Sequence, residues 1–184
     1  MRAVLLSVPP EMLAERRRSG LDGRDEMWDG VVHMVPPAGD AQQEVQAELF
    51  PVLAALAKRR GLIPRFETGM FRSDSDYRVP DQLFCRPDQR SDRGAEGAEL
   101  VVEVRSPGDE TYDKIGWYAA LGVRELLIVH PAGRQFELLR NVGGRLLPVP
   151  PDVDGVFRSD VLDLAVATVA ERLVLTWTEG SADI

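Results

Sequence analysis

The sequence predicts an α/β fold, a mixed β-sheet flanked by helices. Leu100-Val101-Val102-Glu103-Val104 is a short, largely apolar run without alternation, the pattern of a strand covered on both faces. Val123 to Val129 repeats that pattern after an intervening helical segment. The stretch 99–129 therefore has the length of a right-handed β-α-β crossover, which makes part of the sheet parallel. Val45, Leu49, Val52, Leu53, Leu56 and Ala57 recur at helical spacing and give a long helix one apolar stripe. With 184 residues, 44% of them hydrophobic and 28% charged, the chain fits one domain that buries a substantial core.

From the amino end, Met1 to Val8 runs into Pro9-Pro10 without a small-residue cleavage pattern, which argues against a signal peptide. A short polar helix is expected around 11–18, closed by Gly20. Residues 26–35 read as a hairpin because Asp29-Gly30 tolerates positive φ. The long helix should start at Asp40, as N-cap, and stop at Gly61. Strands near 62–71 and 79–85 are expected to be joined by the polar turn 73–76, followed by a loop over 86–98. After the strand 99–105, Asp109 is expected to cap a helix that ends at Gly122. A hairpin over 134–149 turns at Asn141-Val142-Gly143-Gly144. The end reads as a strand near 161–166, a short helix and a frayed tail.

Composition narrows the function. Twenty-two basic against thirty acidic residues give a net charge of −8, which disfavours tight nonspecific binding of nucleic acid. The distribution is uneven: residues 58–93 hold nine Lys/Arg against six Asp/Glu, so this segment offers either a basic face or a solvated mixed-charge surface. No apolar run approaches membrane-spanning length, so no membrane is expected. Cys85 is the lone cysteine, which suits a reducing, cytoplasmic setting and reads as a small core side chain. Only His33 and His130 are histidines, and their separation gives no zinc spacing. There is no nucleophile elbow and no phosphate-cradling glycine loop.

Two acids and a lysine carry the chemistry that remains. Glu103 interrupts an apolar strand, where a carboxylate must lose water and needs a metal, a site or a buried cationic partner. Asp81 follows Pro80 at a strand end, either as a turn residue or as a carboxylate converging on Glu103 across one sheet face. Two carboxylates held close tolerate each other around a divalent cation, Mg²⁺ or Mn²⁺ for oxygen ligands. Lys114, one of only two lysines, shares a helical face with Trp117, Tyr118 and Leu121. It either reaches the strand end at Glu103 and Arg105 or pairs with Asp113 or Glu110 at the surface.

Pro80-Asp81, Glu103-Val104-Arg105-Ser106-Pro107, Asp113-Lys114 with Tyr118, and Gly122 to Val129 together resemble the family of putative restriction endonuclease domains, a branch of the PD-(D/E)XK nucleases. The resemblance extends upstream to Trp28 to Pro36 and spans roughly residues 10–165 of a single domain, 1–184. It implies a restriction-endonuclease-like sheet with N-terminal and C-terminal hairpin additions. It also implies that Asp81, Glu103 and the backbone carbonyl of Val104 ligate Mg²⁺ (or Mn²⁺). The lysine position of the superfamily motif falls on Arg105, and Lys114 from the following helix would substitute for it. Gln42 stands where the family often has a histidine, and Glu44 is a candidate outer-shell carboxylate.

The activity this implies is a Mg²⁺-dependent endonuclease hydrolysing phosphodiester bonds of DNA, with Asp81, Glu103, Arg105 and Lys114 catalytic. The alternative is a non-catalytic nuclease-fold protein used for binding or assembly, which the acidic charge, Arg105 and Gln42 favour. A homodimer is expected under either reading.

Overall fold

The computed structural model describes residues 3–5, 9–20 and 22–184. The signal-peptide reading of residues 1–8 thus rests on positions that, apart from 3–5, lie outside the described residues. In chain order the elements are β1 (Ala3–Leu5), α1 (Pro10–Arg18), β2 (Glu26–Trp28), β3 (Val31–Met34), α2 (Asp40–Arg59), β4 (Ile63–Phe66), β5 (Met70–Ser73), β6 (Asp76–Arg78) and β7 (Gln82–Cys85). Then follow β8 (Arg90–Ser91), β9 (Gly94–Ala95), β10 (Leu100–Val104), α3 (Ile115–Ala120), β11 (Glu125–His130), β12 (Gln135–Val142) and β13 (Arg145–Pro148). The chain closes with β14 (Phe157–Ser159), β15 (Leu164–Val169), β16 (Arg172–Trp177) and β17 (Gly180–Asp183).

The central sheet has the order β13-β12-β11-β10-β7-β4. Its strands β10 and β11 pair in parallel, as the crossover pattern predicts, and every other pair in it is antiparallel. Alternate side chains of β10 feed two cores. Leu100, Val102 and Val104 pack with Val45, Leu49 and Leu53 of α2 and with the carboxyl-terminal sheet. Val101 packs the other way, with Leu83 and Cys85 of β7 and with Trp117 and Tyr118 of α3. Each fully buried aliphatic side chain stabilises this arrangement by about 1.5–3 kcal/mol. Cys85 is a core side chain, and burial pushes its thiol pKa up. No helix among the described residues is long and apolar enough to cross a membrane.

Several expectations are corrected. Gly39, not Asp40, is the N-cap of α2; Asp40 lies in the first turn, where its charge still favours the helix amino end. The turn 73–76 joins β5 to β6 within a second sheet, ordered β1-β3-β2-β6-β5-β9-β8, and does not lead into β7. Residues 86–98 are not plain loop, because β8 and β9 pair there and β9 runs parallel to β5. Asp109 does not cap a helix directly: it accepts from the backbone N–H of Ser106 at 2.7 Å and of Thr111 at 3.2 Å, a 3₁₀ turn spans Thr111–Lys114, and α3 follows. The carboxyl end holds no helix. It forms a four-stranded sheet, β14-β15-β16-β17, and the tail residue Ile184 is buried and exchanges two backbone hydrogen bonds with Leu173.

In the basic segment 58–93 most of the cations are paired. Six of its nine cations, Arg59, Arg60, Arg72, Arg78, Arg86 and Arg93, form ion pairs with acids. Arg78 is buried between the rings of Trp28 and Trp117, at 4.2 and 4.7 Å from their centroids, so its charge ties the second sheet to α3.

Close backbone approach fixes Gly94. Its φ is +152°, and a Cβ there would lie 2.2 Å from the carbonyl oxygen of Gly69. Gly94→Ala is therefore expected to cost about 1–3 kcal/mol, lowering the thermal midpoint by several degrees in a calorimetric scan. An unchanged midpoint would mean that the β5–β9 contact opens without loss.

Candidate active site

The antiparallel register of β7 and β10 builds the site. Val102 faces Gln82, Val101 faces Leu83 and Leu100 faces Phe84, so one step beyond the pairing Glu103 comes opposite Asp81. Both acids are buried at 4% exposure, and both line a cleft of about 270 Å³. The cleft also takes in Arg24, Glu26, Gln42, Val104 and Lys114.

Asp81 accepts three hydrogen bonds. Oδ1 takes Gln46 Nε2 at 2.8 Å and Arg24 Nη2 at 2.9 Å, and Oδ2 takes the Val104 backbone N–H at 2.7 Å. That last bond extends the β7–β10 ladder through a side chain and locks the acid to the strand end. Burial raises its pKa, against the lowering effects of the Val104 N–H, Lys114 and Arg24.

Glu103 receives both its donors on Oε1, from Lys114 Nζ at 3.2 Å and from the Tyr118 hydroxyl at 2.5 Å. No donor among the described residues bonds Oε2. Burial first, then Asp81 and Glu26, push the Glu103 pKa from 4.5 up to about 7, although Lys114 and Tyr118 act in the opposite direction. The site thus carries more negative charge than its cations neutralise. Lys114 is itself buried, which works against its charge, but Glu103 and Glu26 outweigh that and raise its pKa. Its partners are Glu26 and Glu103, rather than Asp113 or Glu110.

A raised carboxylate pKa in the fold has a definite sign. Below 4.5 Glu103 is protonated in both folded and unfolded chains and costs nothing. From there to about 7 the unfolded chain ionises first, so stability is progressively lost. Under chelating conditions, the thermal midpoint of Glu103→Gln relative to the native chain is expected to climb between pH 5 and pH 8, roughly the interval set by these values. A difference that stays flat with pH would show that this carboxyl titrates normally.

The structure brings together Asp81, Glu103, Lys114, Val104 and Gln42. The Val104 carbonyl accepts a hydrogen bond from Gln42 Nε2 at 2.8 Å, so this glutamine orients the backbone oxygen expected to face a metal. Two expected residues stand elsewhere. Arg105 follows the last residue of β10, pairs with Asp109 at 3.1 Å and stacks on the Tyr112 ring at 4.5 Å. Asp109, four positions on in the turn, captures the guanidinium before it can reach Glu103. Glu44 is exposed on α2 and pairs with Arg134 at 3.4 Å, because two residues on from Gln42 a helix has rotated to another face.

Four site residues escaped the sequence reading. Arg24 precedes β2 in an irregular segment, and Glu26 looked like an ordinary hairpin acid. Gln46 lies inside the α2 stripe at 0% exposure, and a glutamine one turn after Gln42 was the available signal. Glu110 holds His33 Nδ1 at 2.9 Å across the cleft rim, a contact that no local pattern announces. Among the described residues, no three His, Cys, Asp or Glu side chains form a closed metal cage.

The sequence matches the profile of the family described as Uma2, putative restriction endonuclease, over residues 11–170. No curated protein sequence matches it. Among solved structures, a putative nuclease belonging to DUF820 from Anabaena variabilis ATCC 29413 superposes with a TM-score of 0.59 at 16% identity, covering 75% of this chain and 83% of that one. That likeness establishes the restriction-endonuclease-like fold. Part of the DrdV–DNA complex aligns at a TM-score of 0.38 and 16% identity over 58% of this chain and 10% of that one, too distant a likeness to bear on the fold.

Proposed function

The chain belongs to the Uma2 family of putative restriction endonucleases, and from that premise we propose that it is a Mg²⁺-dependent endonuclease hydrolysing phosphodiester bonds of DNA. The observation that carries the reading is the convergence of Asp81, Glu103 and Lys114 in one cleft whose acids outnumber its cations.

The donor set fits a hard divalent cation. Oε2 of Glu103 accepts no hydrogen bond from the described residues, Asp81 stands opposite Glu103, and the Val104 carbonyl lies at the same strand end. Two carboxylates and one carbonyl without a closed cage suit Mg²⁺, which keeps several of its waters. These three residues would hold the ion, which supplies phosphate polarisation and a bound water of lowered pKa. The other groups are the chain's own. Tyr118 fixes Glu103 through Oε1, Gln46 and Arg24 fix Asp81 through Oδ1, and Gln42 aims the Val104 carbonyl. Lys114 offers a buried ammonium whose hydrogen bonds stabilise negative charge developing on a phosphate, an interaction strengthened by exclusion of water.

The test is calorimetric titration of the full chain with Mg²⁺ and Mn²⁺, alongside nicking of supercoiled plasmid DNA in their presence. Metal uptake together with metal-dependent nicking supports the proposal. A second reading, a nuclease fold kept for binding or assembly without catalysis, is favoured by the paired arginines of 58–93 and by Arg105 turning to Asp109. Absence of metal uptake at millimolar concentration, with no nicking, would leave that reading in place.

A further inference from the structure

We propose that Glu26, from the amino-terminal hairpin, is the positioning residue of the site: it holds Lys114 against Glu103 and keeps the ammonium counter-charged when Glu103 is engaged by a cation. The inference rests on the reading of Lys114 as the group that meets the phosphate, and it concerns a residue from outside the β10–α3 unit.

The geometry separates Glu26 from the ligands. Its carboxylate is 1% exposed, and both oxygens are occupied. Oε1 accepts from Lys114 Nζ at 2.8 Å and from the Val79 backbone N–H at 2.9 Å, and Oε2 accepts from the Trp28 indole N–H at 2.8 Å. A buried carboxylate with both oxygens engaged by three donors acts as a fixed counter-ion. Trp28 is in turn clamped, stacked on His33 at 4.1 Å and covered by Arg78. The hairpin thereby presents a rigid negative charge at the floor of the cleft.

Lys114 needs that second charge for a physical reason. Its distance to Glu103 Oε1 is 3.2 Å, longer than the 2.8 Å to Glu26. A divalent ion on Glu103 would draw away most of that carboxylate's charge, and an ammonium facing it alone would be repelled from its place. With Glu26 in place the ammonium keeps its location while Glu103 serves elsewhere. Charge balance gives the same result: Glu26 and Glu103 flank one lysine, which leaves one negative charge for a cation.

The test uses the metal-free full chain and its two lysines. Brief treatment with acetic anhydride, followed by peptide mass spectrometry, compares acetylation of Lys114 with that of exposed Lys58. In the native chain Lys114 should react far more slowly than Lys58. Glu26→Gln should raise Lys114 labelling severalfold while Lys58 stays constant and the buried Cys85 thiol remains closed to maleimide. Trp28→Phe, which removes the indole donor while keeping an aromatic face toward His33 and Arg78, should give a smaller rise and decides the matter should Glu26→Gln fail to fold. Lys114 staying protected in both variants, or Cys85 opening together with Lys114, would overturn the proposal. In plasmid nicking with millimolar Mg²⁺, Glu26→Gln should lower kcat on the order of 100-fold, with KM little changed. Combined with Lys114→Ala it should cause no further loss, and multiplying losses would also overturn the assignment. If the native chain nicks no DNA, the endonuclease reading fails while the labelling still decides whether Glu26 holds Lys114.

Discussion

Glu103→Gln is expected to abolish divalent-metal uptake and to reduce metal-dependent cleavage by about three orders of magnitude while leaving the protein folded. The reason lies in which oxygen is used. Lys114 and Tyr118 both donate to Oε1, so a glutamine keeps that oxygen in place and puts its amide nitrogen at the Oε2 position, where no donor among the described residues is bonded. The substitution therefore removes the charge with little disturbance of packing. Asp81→Asn should have the same effect on metal and activity with a larger loss of stability, because three donors converge on its two oxygens and an amide nitrogen must oppose one of them. Calorimetry with Mn²⁺ and plasmid nicking measure the two halves. Cleavage surviving in both variants would remove the metal mechanism. Metal uptake surviving in both would move the ion to other residues.

The second large effect is on stability and lies away from the cleft. Glu125 opens β11 at 1% exposure, and its carboxylate gathers five bonds. Arg140 reaches Oε1 through Nε at 3.0 Å and Nη2 at 2.9 Å, joined by the Asp160 N–H at 3.0 Å. Oε2 takes the Ser159 hydroxyl at 2.5 Å and the Val161 N–H at 3.3 Å. This one side chain therefore fastens the carboxyl-terminal sheet to the central one. Glu125→Ala takes the acceptor from the Ser159 hydroxyl and from the Asp160 and buried Val161 N–H groups, and leaves Arg140 only Asp160 and the Arg158 carbonyl, which should cost about 2–4 kcal/mol and lower the thermal midpoint by roughly 5–10 °C. A fall of only a degree or two would show that the two sheets are held by their apolar contacts alone.

Much of the frame was legible because local chemistry and tertiary demand coincide there. The apolar runs over β10 and β11, the amphipathic stripe of α2 and the Asp29-Gly30 turn each specify one structure. Asp29 and Gly30 indeed take φ of 47° and 86°. Beyond the strand expected near 161–166, which overlaps β15, the carboxyl-terminal sheet was not legible for the complementary reason. Its β15–β16 turn is Ala170-Glu171, both at positive φ (48° and 58°), with no Gly, Asn or Pro to mark it. Such a conformation costs an L-residue about 1–2 kcal/mol, so local propensity pointed to a helix, and cross-strand pairing together with burial of Leu173 and Leu175 prevailed.

The site divides along the same line. Sequence by itself marked Glu103 and Lys114 as candidates, because a carboxylate inside an apolar strand and a lysine on an apolar helix stripe each need a partner that their own segment does not supply, and it left Asp81 open between a turn residue and a cleft carboxylate. It could not determine which residues answer that need. Arg24 and Glu26 come from segments more than fifty positions before the residues they pair with, Asp81 and Lys114, and Arg105, adjacent in the chain to β10, was diverted by Asp109. Electrostatic complementarity acts over a few ångström of space and takes no account of chain distance, so only the folded arrangement decided which charges share the cleft.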